Sequence, residues 1–117
     1  MLLSKVIGHR GASAYAPENT LASFDKAFSL GCHFIEFDVM CSADGEPFVI
    51  HDDTLKRTTN GRGEVGLVDA AYLKTLDAGS WFSKRFKGEP IPHFKDALQW
   101  LSFSNVQANI EIKPFRD

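Results

Sequence analysis

The sequence is poor in cysteine and has no long apolar run. Two cysteines, Cys32 and Cys41, supply neither a disulfide framework nor the spacing of a metal site. We therefore expect two reduced thiols in a cytoplasmic protein. No window approaches the roughly 20 apolar residues needed to cross a bilayer, and Met1–Gly8 lacks the pattern of a signal peptide. Stable membrane insertion is not expected.

An excess of positive charge is also missing. The formal net charge is -2, and the basic residues are scattered along the chain. A protein that binds nucleic acid by neutralising phosphates needs a basic footprint, so we expect no nucleic-acid partner. What is present is typical of one soluble globular domain: 117 residues, of which 44% are hydrophobic and 24% charged.

Apolar residues recur along the chain in an order typical of an α/β protein. Helical spacing relates Leu21, Phe24, Ala27 and Phe28, with Asn19 or Thr20 as the predicted cap and Gly31 as the end. Two further helices are predicted, one after Asp69 with Tyr72, Leu73 and Leu76 and one with Phe94, Ala97, Leu98 and Leu101. The apolar runs that read as strands are Val6–Gly8, Phe34–Val39, Phe48–Ile50 and Val106–Lys113. This order predicts parallel strands.

The strand predicted at Phe34–Val39 carries two carboxylates on one face. Its period of two places Ile35, Phe37 and Val39 on the other face. Glu36 and Asp38 would be on the wet face of an antiparallel sheet, which commonly alternates in this way. Alternatively, they point into a barrel of parallel strands, whose carboxyl ends line the active site. Periodicity alone leaves both interpretations open.

Four predicted strand ends repeat this pattern, which favours the barrel. The residues in question are His9, Arg10, Glu36, Asp38, His51, Glu111 and Lys113. Three carboxylates suit a hard divalent cation such as Mg²⁺ or Ca²⁺, and arginine and lysine suit an anionic group of a substrate. Two histidines can act as general acid and general base near neutral pH. Together these groups indicate hydrolysis of a phosphate ester.

Six motifs in order, from about Ile7 to Pro114, resemble the glycerophosphodiester phosphodiesterase family. They are GHRG (Gly8–Gly11), APENT (Ala16–Thr20), EFD (Glu36–Asp38), HDDTLKRTTNGRG (His51–Gly63), LDAGSWF (Leu76–Phe82) and NIEIKP (Asn109–Pro114). The resemblance implies an α/β fold, namely the N-terminal portion of a TIM (β/α)₈ barrel with an inserted segment at residues 53–92. Such a barrel takes about 250 residues. Residues 1–117 would therefore be one part of a barrel domain whose C-terminal strands and helices are missing.

The same resemblance assigns roles to individual residues. It implies that Glu36, Asp38 and Glu111 bind the divalent cation, Mg²⁺ or Ca²⁺. By the same resemblance His9 and His51 are the acid–base pair, and Arg10 and Lys113 bind the substrate phosphate. Glu18 would position His9 or Arg10, with compensation of helix N-terminal charge as an equally weighted alternative.

The reaction implied by the resemblance is metal-dependent hydrolysis of a small glycerophosphodiester to glycerol 3-phosphate and an alcohol. The substrate's own glycerol hydroxyl is the expected nucleophile, and water then opens the cyclic phosphate. Two alternatives stay open, a lysophospholipase D-like phosphodiesterase of the same fold and a non-catalytic fragment that binds phosphate or metal. We expect the N-terminal part of a longer hydrolase, with an oligomer or a separate C-terminal piece as the other interpretations.

Overall fold

The computed structural model describes residues 7–114, which contain four strands and three helices. In chain order these are β1 Ile7–His9, α1 Leu21–Ser29, β2 Phe34–Cys41, β3 Pro47–Val49, α2 Ala70–Leu73, α3 Phe94–Ser104 and β4 Gln107–Ile112. Two short 3₁₀ turns cover Val65–Leu67 and Lys84–Phe86. The predicted start of the first strand, Val6, lies outside the described residues.

Strand β2 is the centre of the sheet. It pairs in parallel with β1 on one side and with β4 on the other, and β3 pairs antiparallel to its C-terminal end. The parallel pairing confirms the α/β prediction and contradicts the wet antiparallel face, since Asp38 is only 3% exposed.

The interpretation of Phe48–Ile50 as a further barrel strand is wrong. Asp44 and Gly45 turn the chain back only a few residues after β2, and Gly45 has φ +84°. Antiparallel strands can be joined by so short a turn, whereas parallel strands need a crossover of a dozen residues or more. The run therefore forms a hairpin with β2.

The main core lies between β2 and the two longer helices. Ile35, Phe37 and Val39 join α1 and α3 in one buried cluster, and the Phe24 and Phe37 rings lie 5.3 Å apart. The first predicted helix is capped by Thr20, whose side chain accepts from the Ser23 N–H. Two apolar residues of the predicted helix stripes lie in α1 and α3 as expected but are not covered. Phe28 and Leu98 are 54% and 45% exposed.

Residues 53–92 enclose a second buried cluster. Its members are Met40, Phe48, Ile50, Leu55, Val65, Ala70, Leu73, Leu76, Ala78 and Ile91. Asp69 caps α2 as predicted, but the helix ends at Leu73 and Leu76 is buried from the following turn. Asp77 in the LDAGSWF motif accepts from the backbone N–H groups of Gly79, Ser80 and Gly88, and from the Ser80 hydroxyl, and these bonds lower its pKa. The Asp77 carboxylate of this motif thus stabilises the loop that follows it.

The cysteines and the expected lack of a membrane-spanning helix can both be examined in the described part of the chain. Cys32 is buried and Cys41 half-buried, and both are free thiols, as expected. Across residues 7–114, no helix combines the length and apolar character that crossing a bilayer requires.

The turn after β1 leaves no room for a side chain at Gly11. Gly11 has φ +77°, and a Cβ added there would lie 2.8 Å from the backbone carbon of Ser23 in α1. We expect Gly11→Ala to lower the free energy of unfolding by about 2–4 kcal/mol, because left-handed strain and overpacking add. Urea unfolding of the protein expressed from its complete reading frame measures the change.

Gly45→Ala is the matched control for this prediction. Gly45 has φ +84° but no atom within 4 Å of the added Cβ, so only the backbone strain of about 1 kcal/mol applies. Equal losses of stability in the two variants would show that the contact between Gly11 and α1 contributes nothing.

Candidate active site

The parallel register brings the predicted residues to one edge of the sheet. His9 is opposite Glu36 in the β1–β2 pair, and Asp38 is opposite Glu111 in the β2–β4 pair. Glu36 and Asp38 alternate with the residues that pack on the helices, so they lie on the opposite face of β2. The carboxyl ends of three strands thus present charged side chains to the same region.

His9 is held by a carboxylate. Its Nδ1 lies 2.8 Å from Glu36 Oε1, and the His9 side chain is 64% exposed. With Nδ1 engaged by the carboxylate, Nε2 is the nitrogen left to exchange a proton with a substrate.

Arg10 and Asn19 surround Asp38. The Arg10 Nε lies 3.7 Å from Asp38 Oδ2, and the Asn19 Nδ2 donates to the same oxygen at 3.1 Å. Both residues have positive φ, +54° and +58°, and the Asn19 N–H donates to the Arg10 carbonyl at 2.9 Å. Left-handed backbone outside glycine costs about 1–3 kcal/mol and clusters at functional sites. From the sequence, Asn19 is predicted only as a helix cap, although the APENT motif contains it.

Two buried polar atoms in this group have no hydrogen-bond partner. They are the Nε of Arg10, a donor, and the Oδ1 of Asn19, an acceptor. An unsatisfied buried polar group costs about 1–3 kcal/mol, so a bound ligand that satisfied these atoms would be stabilised by them. A phosphate oxygen would satisfy the donor and a cation would satisfy the acceptor.

His51 lies just beyond the hairpin strand β3. Its Nδ1 lies 2.9 Å from Asp52 Oδ1, and its carbonyl accepts from the Lys113 Nζ at 2.5 Å. The N–H of the preceding Ile50 donates to the Asp38 carbonyl at 3.0 Å. The Asp44–Gly45 turn, which returns the chain in the antiparallel hairpin, is therefore what brings His51 to the edge occupied by Asp38.

Glu18 contacts two guanidinium groups. Arg10 Nη1 donates to Glu18 Oε2 at 3.2 Å, and Arg57 donates to both carboxylate oxygens at 3.0 and 2.8 Å. These contacts favour the positioning role of Glu18, acting on Arg10, over compensation of helix charge. Neither Arg57 nor Asp52 was singled out from the sequence, although both lie in the HDDTLKRTTNGRG motif.

One group of three side chains in the described part of the chain is close enough to share a cation. Ligand atoms of Glu18, His51 and Asp52 lie within 4.8 Å of one another. Arg57 already donates to both carboxylates, and its guanidinium holds the pKa of Asp52 well below its usual range. A cation would have to displace this guanidinium, so the group is better described as an ion-pair cluster.

The sequence profile of the glycerophosphoryl diester phosphodiesterase family matches residues 9–117. The chain belongs to this family. It is 45% identical over 108 residues to the glycerophosphodiester phosphodiesterase of Caldanaerobacter subterraneus, which covers 92% of this chain and 44% of that protein. The glycerophosphodiester phosphodiesterase of Bacillus subtilis is 43% identical over 88 residues, or 75% of this chain and 30% of that protein.

Solved structures of the family superpose on this chain. The glycerophosphodiester phosphodiesterase of Agrobacterium tumefaciens matches with a TM-score of 0.91 and 48% identity, over 95% of this chain and 48% of that one. A phosphodiesterase of Oleispira antarctica was solved in complex with the product sn-glycerol-3-phosphate. It matches with a TM-score of 0.92 and 46% identity, over 97% of this chain and 46% of that one. The chain spans less than half the length of these relatives. Its fold is thus the predicted α/β portion of a TIM barrel, incomplete in this chain.

Proposed function

We propose that the protein hydrolyses glycerophosphodiesters and that this chain supplies the acid–base and phosphate-binding residues. The observation that carries the proposal is the meeting of His9, Arg10, Asp38 and His51 at the edge formed by the carboxyl ends of the parallel strands. Membership of the family and the similarity to a product-bound phosphodiesterase support it. By this proposal, residues 53–92 are an insertion in one barrel domain.

The two histidines divide the proton transfers. Each has its Nδ1 beside a carboxylate, Glu36 for His9 and Asp52 for His51, which leaves the Nε2 atoms for the substrate. One Nε2 accepts the proton of the attacking hydroxyl, and the other donates a proton to the leaving alcohol.

Arg10 and Lys113 bind the phosphate in this mechanism. The Nε of Arg10 makes no hydrogen bond and is therefore a donor available to a non-bridging oxygen. Lys113 uses one N–H on the His51 carbonyl and retains two for a ligand. Fixed positive groups beside the phosphate stabilise the charge of the transition state.

Three predicted ligands have the donor chemistry for a divalent cation, although they are not among the described side chains whose ligand atoms lie within 4.8 Å of one another. Glu36, Asp38 and Glu111 are oxygen donors on adjacent strands, and the unpaired Oδ1 of Asn19 borders Asp38. Oxygen ligands are those that Mg²⁺ and Ca²⁺ prefer. When bound there, the ion would offset negative charge on the phosphate.

An assay of product release tests the function. The protein, expressed from its complete reading frame, should release glycerol 3-phosphate from glycerophosphocholine in the presence of Mg²⁺ or Ca²⁺. A coupled glycerol 3-phosphate dehydrogenase reaction measures the product. Lysophosphatidylcholine, assayed in parallel, should be turned over at least about tenfold more slowly, since the polar groups proposed to bind substrate suit a small, hydrophilic diester.

Arg10→Gln removes the charge proposed to face the phosphate, so this variant should turn over glycerophosphocholine more slowly than the wild type. The reverse preference, for lysophosphatidylcholine, would identify a lysophospholipase D-like enzyme instead. Absence of turnover on either substrate with both metals would exclude the proposed hydrolysis.

A further inference from the structure

Arg57 makes four side-chain hydrogen bonds to two carboxylates beside the site. Its guanidinium donates to Asp52 at 2.8 and 3.0 Å and to Glu18 at 3.0 and 2.8 Å. Four such bonds use the planar fork of arginine on two carboxylates at once, which a lysine cannot do. Arg57 thus joins segments 39 residues apart in the sequence.

Each of these carboxylates has a second partner in the proposed site. Asp52 Oδ1 lies 2.9 Å from His51 Nδ1, and Glu18 Oε2 accepts from Arg10 at 3.2 Å. The contacts form one continuous chain, His51–Asp52–Arg57–Glu18–Arg10. One end is an acid–base group and the other is a phosphate-binding group.

The charges of Arg10, Glu18, Asp52 and Arg57 balance, and the Trp81 ring contacts Arg57 from the other side. Two guanidinium groups face two carboxylates, and Asp52 remains ionised because Arg57 lowers its pKa. An ionised Asp52 keeps the proton of His51 on Nδ1, so that Nε2 remains the reactive nitrogen. On the far side, the Arg57 guanidinium carbon lies 5.9 Å from the centre of the Trp81 ring. Trp81 belongs to residues 53–92, so that segment supports the site through Arg57.

We propose that Arg57 is a positioning residue that orients His51 through Asp52 and Arg10 through Glu18. It touches neither substrate nor reacting atoms in this scheme. The proposal rests on the function proposed above, and it adds a residue that aligns the acid–base group with the phosphate-binding group. Alignment of this kind matters because a misplacement of about 1 Å can lower a rate about 10²-fold.

Kinetics of Arg57 variants test the proposal in the protein from the complete reading frame. Arg57→Gln should lower kcat by about 10–100-fold and change KM less than about threefold, because every group that contacts the substrate is still present. Arg57→Lys keeps the charge but cannot make bidentate hydrogen bonds to Asp52 and Glu18 together. Its kcat should therefore lie between those of Arg57→Gln and the wild type. Arg62→Gln, an exposed arginine of the same segment, is the matched control and should leave both constants unchanged.

An NMR measurement separates this proposal from the enzymatic function. The ¹H–¹⁵N correlations of the His51 imidazole, assigned by their loss in His51→Asn, should shift or broaden in Arg57→Gln and stay unchanged in Arg62→Gln. Unchanged His51 signals, or a kcat within twofold of the wild-type value, would overturn the positioning role while leaving the hydrolysis intact. A wild-type protein without turnover would remove the proposed function, and the His51 signals would still decide what Arg57 does.

Discussion

Replacing His51 by alanine should lower kcat by about 10²–10⁴-fold, and His9→Ala should have an effect of the same size. Each ring is held at Nδ1 by a carboxylate, which leaves Nε2 to remove or supply one proton in the proposed mechanism. Steady-state hydrolysis of glycerophosphocholine measures the loss. His33→Ala, which removes an exposed histidine outside the site, is the control and should keep full activity.

The leaving group distinguishes the two histidines. A glycerophosphodiester with a p-nitrophenol leaving group needs no general acid, so the variant that lacks the acid should regain most of its kcat on it. The variant that lacks the base should remain impaired. A rate near that of the wild type on glycerophosphocholine in either variant would contradict the assignment of that histidine.

Removal of the divalent cation should have the second large effect. We expect a chelator to lower turnover by at least about 10²-fold, and Mg²⁺ or Ca²⁺ to restore it, because a bound cation contributes several kcal/mol of charge stabilisation. Titration of each metal into the chelated protein shows which ion restores the rate. Full activity after exhaustive chelation would exclude a catalytic metal.

Two carboxylate variants distinguish the possible ligand sets. Asp38→Asn should weaken metal binding by at least about tenfold in a calorimetric titration, since the charge of a ligand is lost. Asp69→Asn is the matched control because asparagine caps α2 as well as aspartate does. Asp52→Asn should leave metal affinity within about threefold. If only the Asp52 variant lost affinity, the cation would belong to Glu18, His51 and Asp52 instead.

The local pattern of the sequence was sufficient for the elements and their faces. Period-two alternation at Ile35–Val39 predicted which side chains face the helices, and helical spacing together with the Thr20 cap predicted α1. Helical spacing alone did not predict how far each residue is buried. Phe28 and Leu98 continue apolar helix stripes but are exposed, although the Phe28 ring meets that of Trp100 edge to face.

The sequence by itself predicted the family and the α/β class and supplied the residues proposed for acid–base catalysis and phosphate binding, because motifs and periodicities are local properties of the chain. The Asp44–Gly45 turn also predicted that His51 returns towards Asp38, but only the tertiary structure decided that β3 pairs antiparallel to β2 and that the Ile50 N–H donates to the Asp38 carbonyl. The tertiary structure alone decided that Arg57 joins Asp52 to Glu18. The reason is physical. Pairing direction and ion-pair partners depend on where distant segments meet, and the meeting is set by packing and turn geometry rather than by the pattern within any one segment.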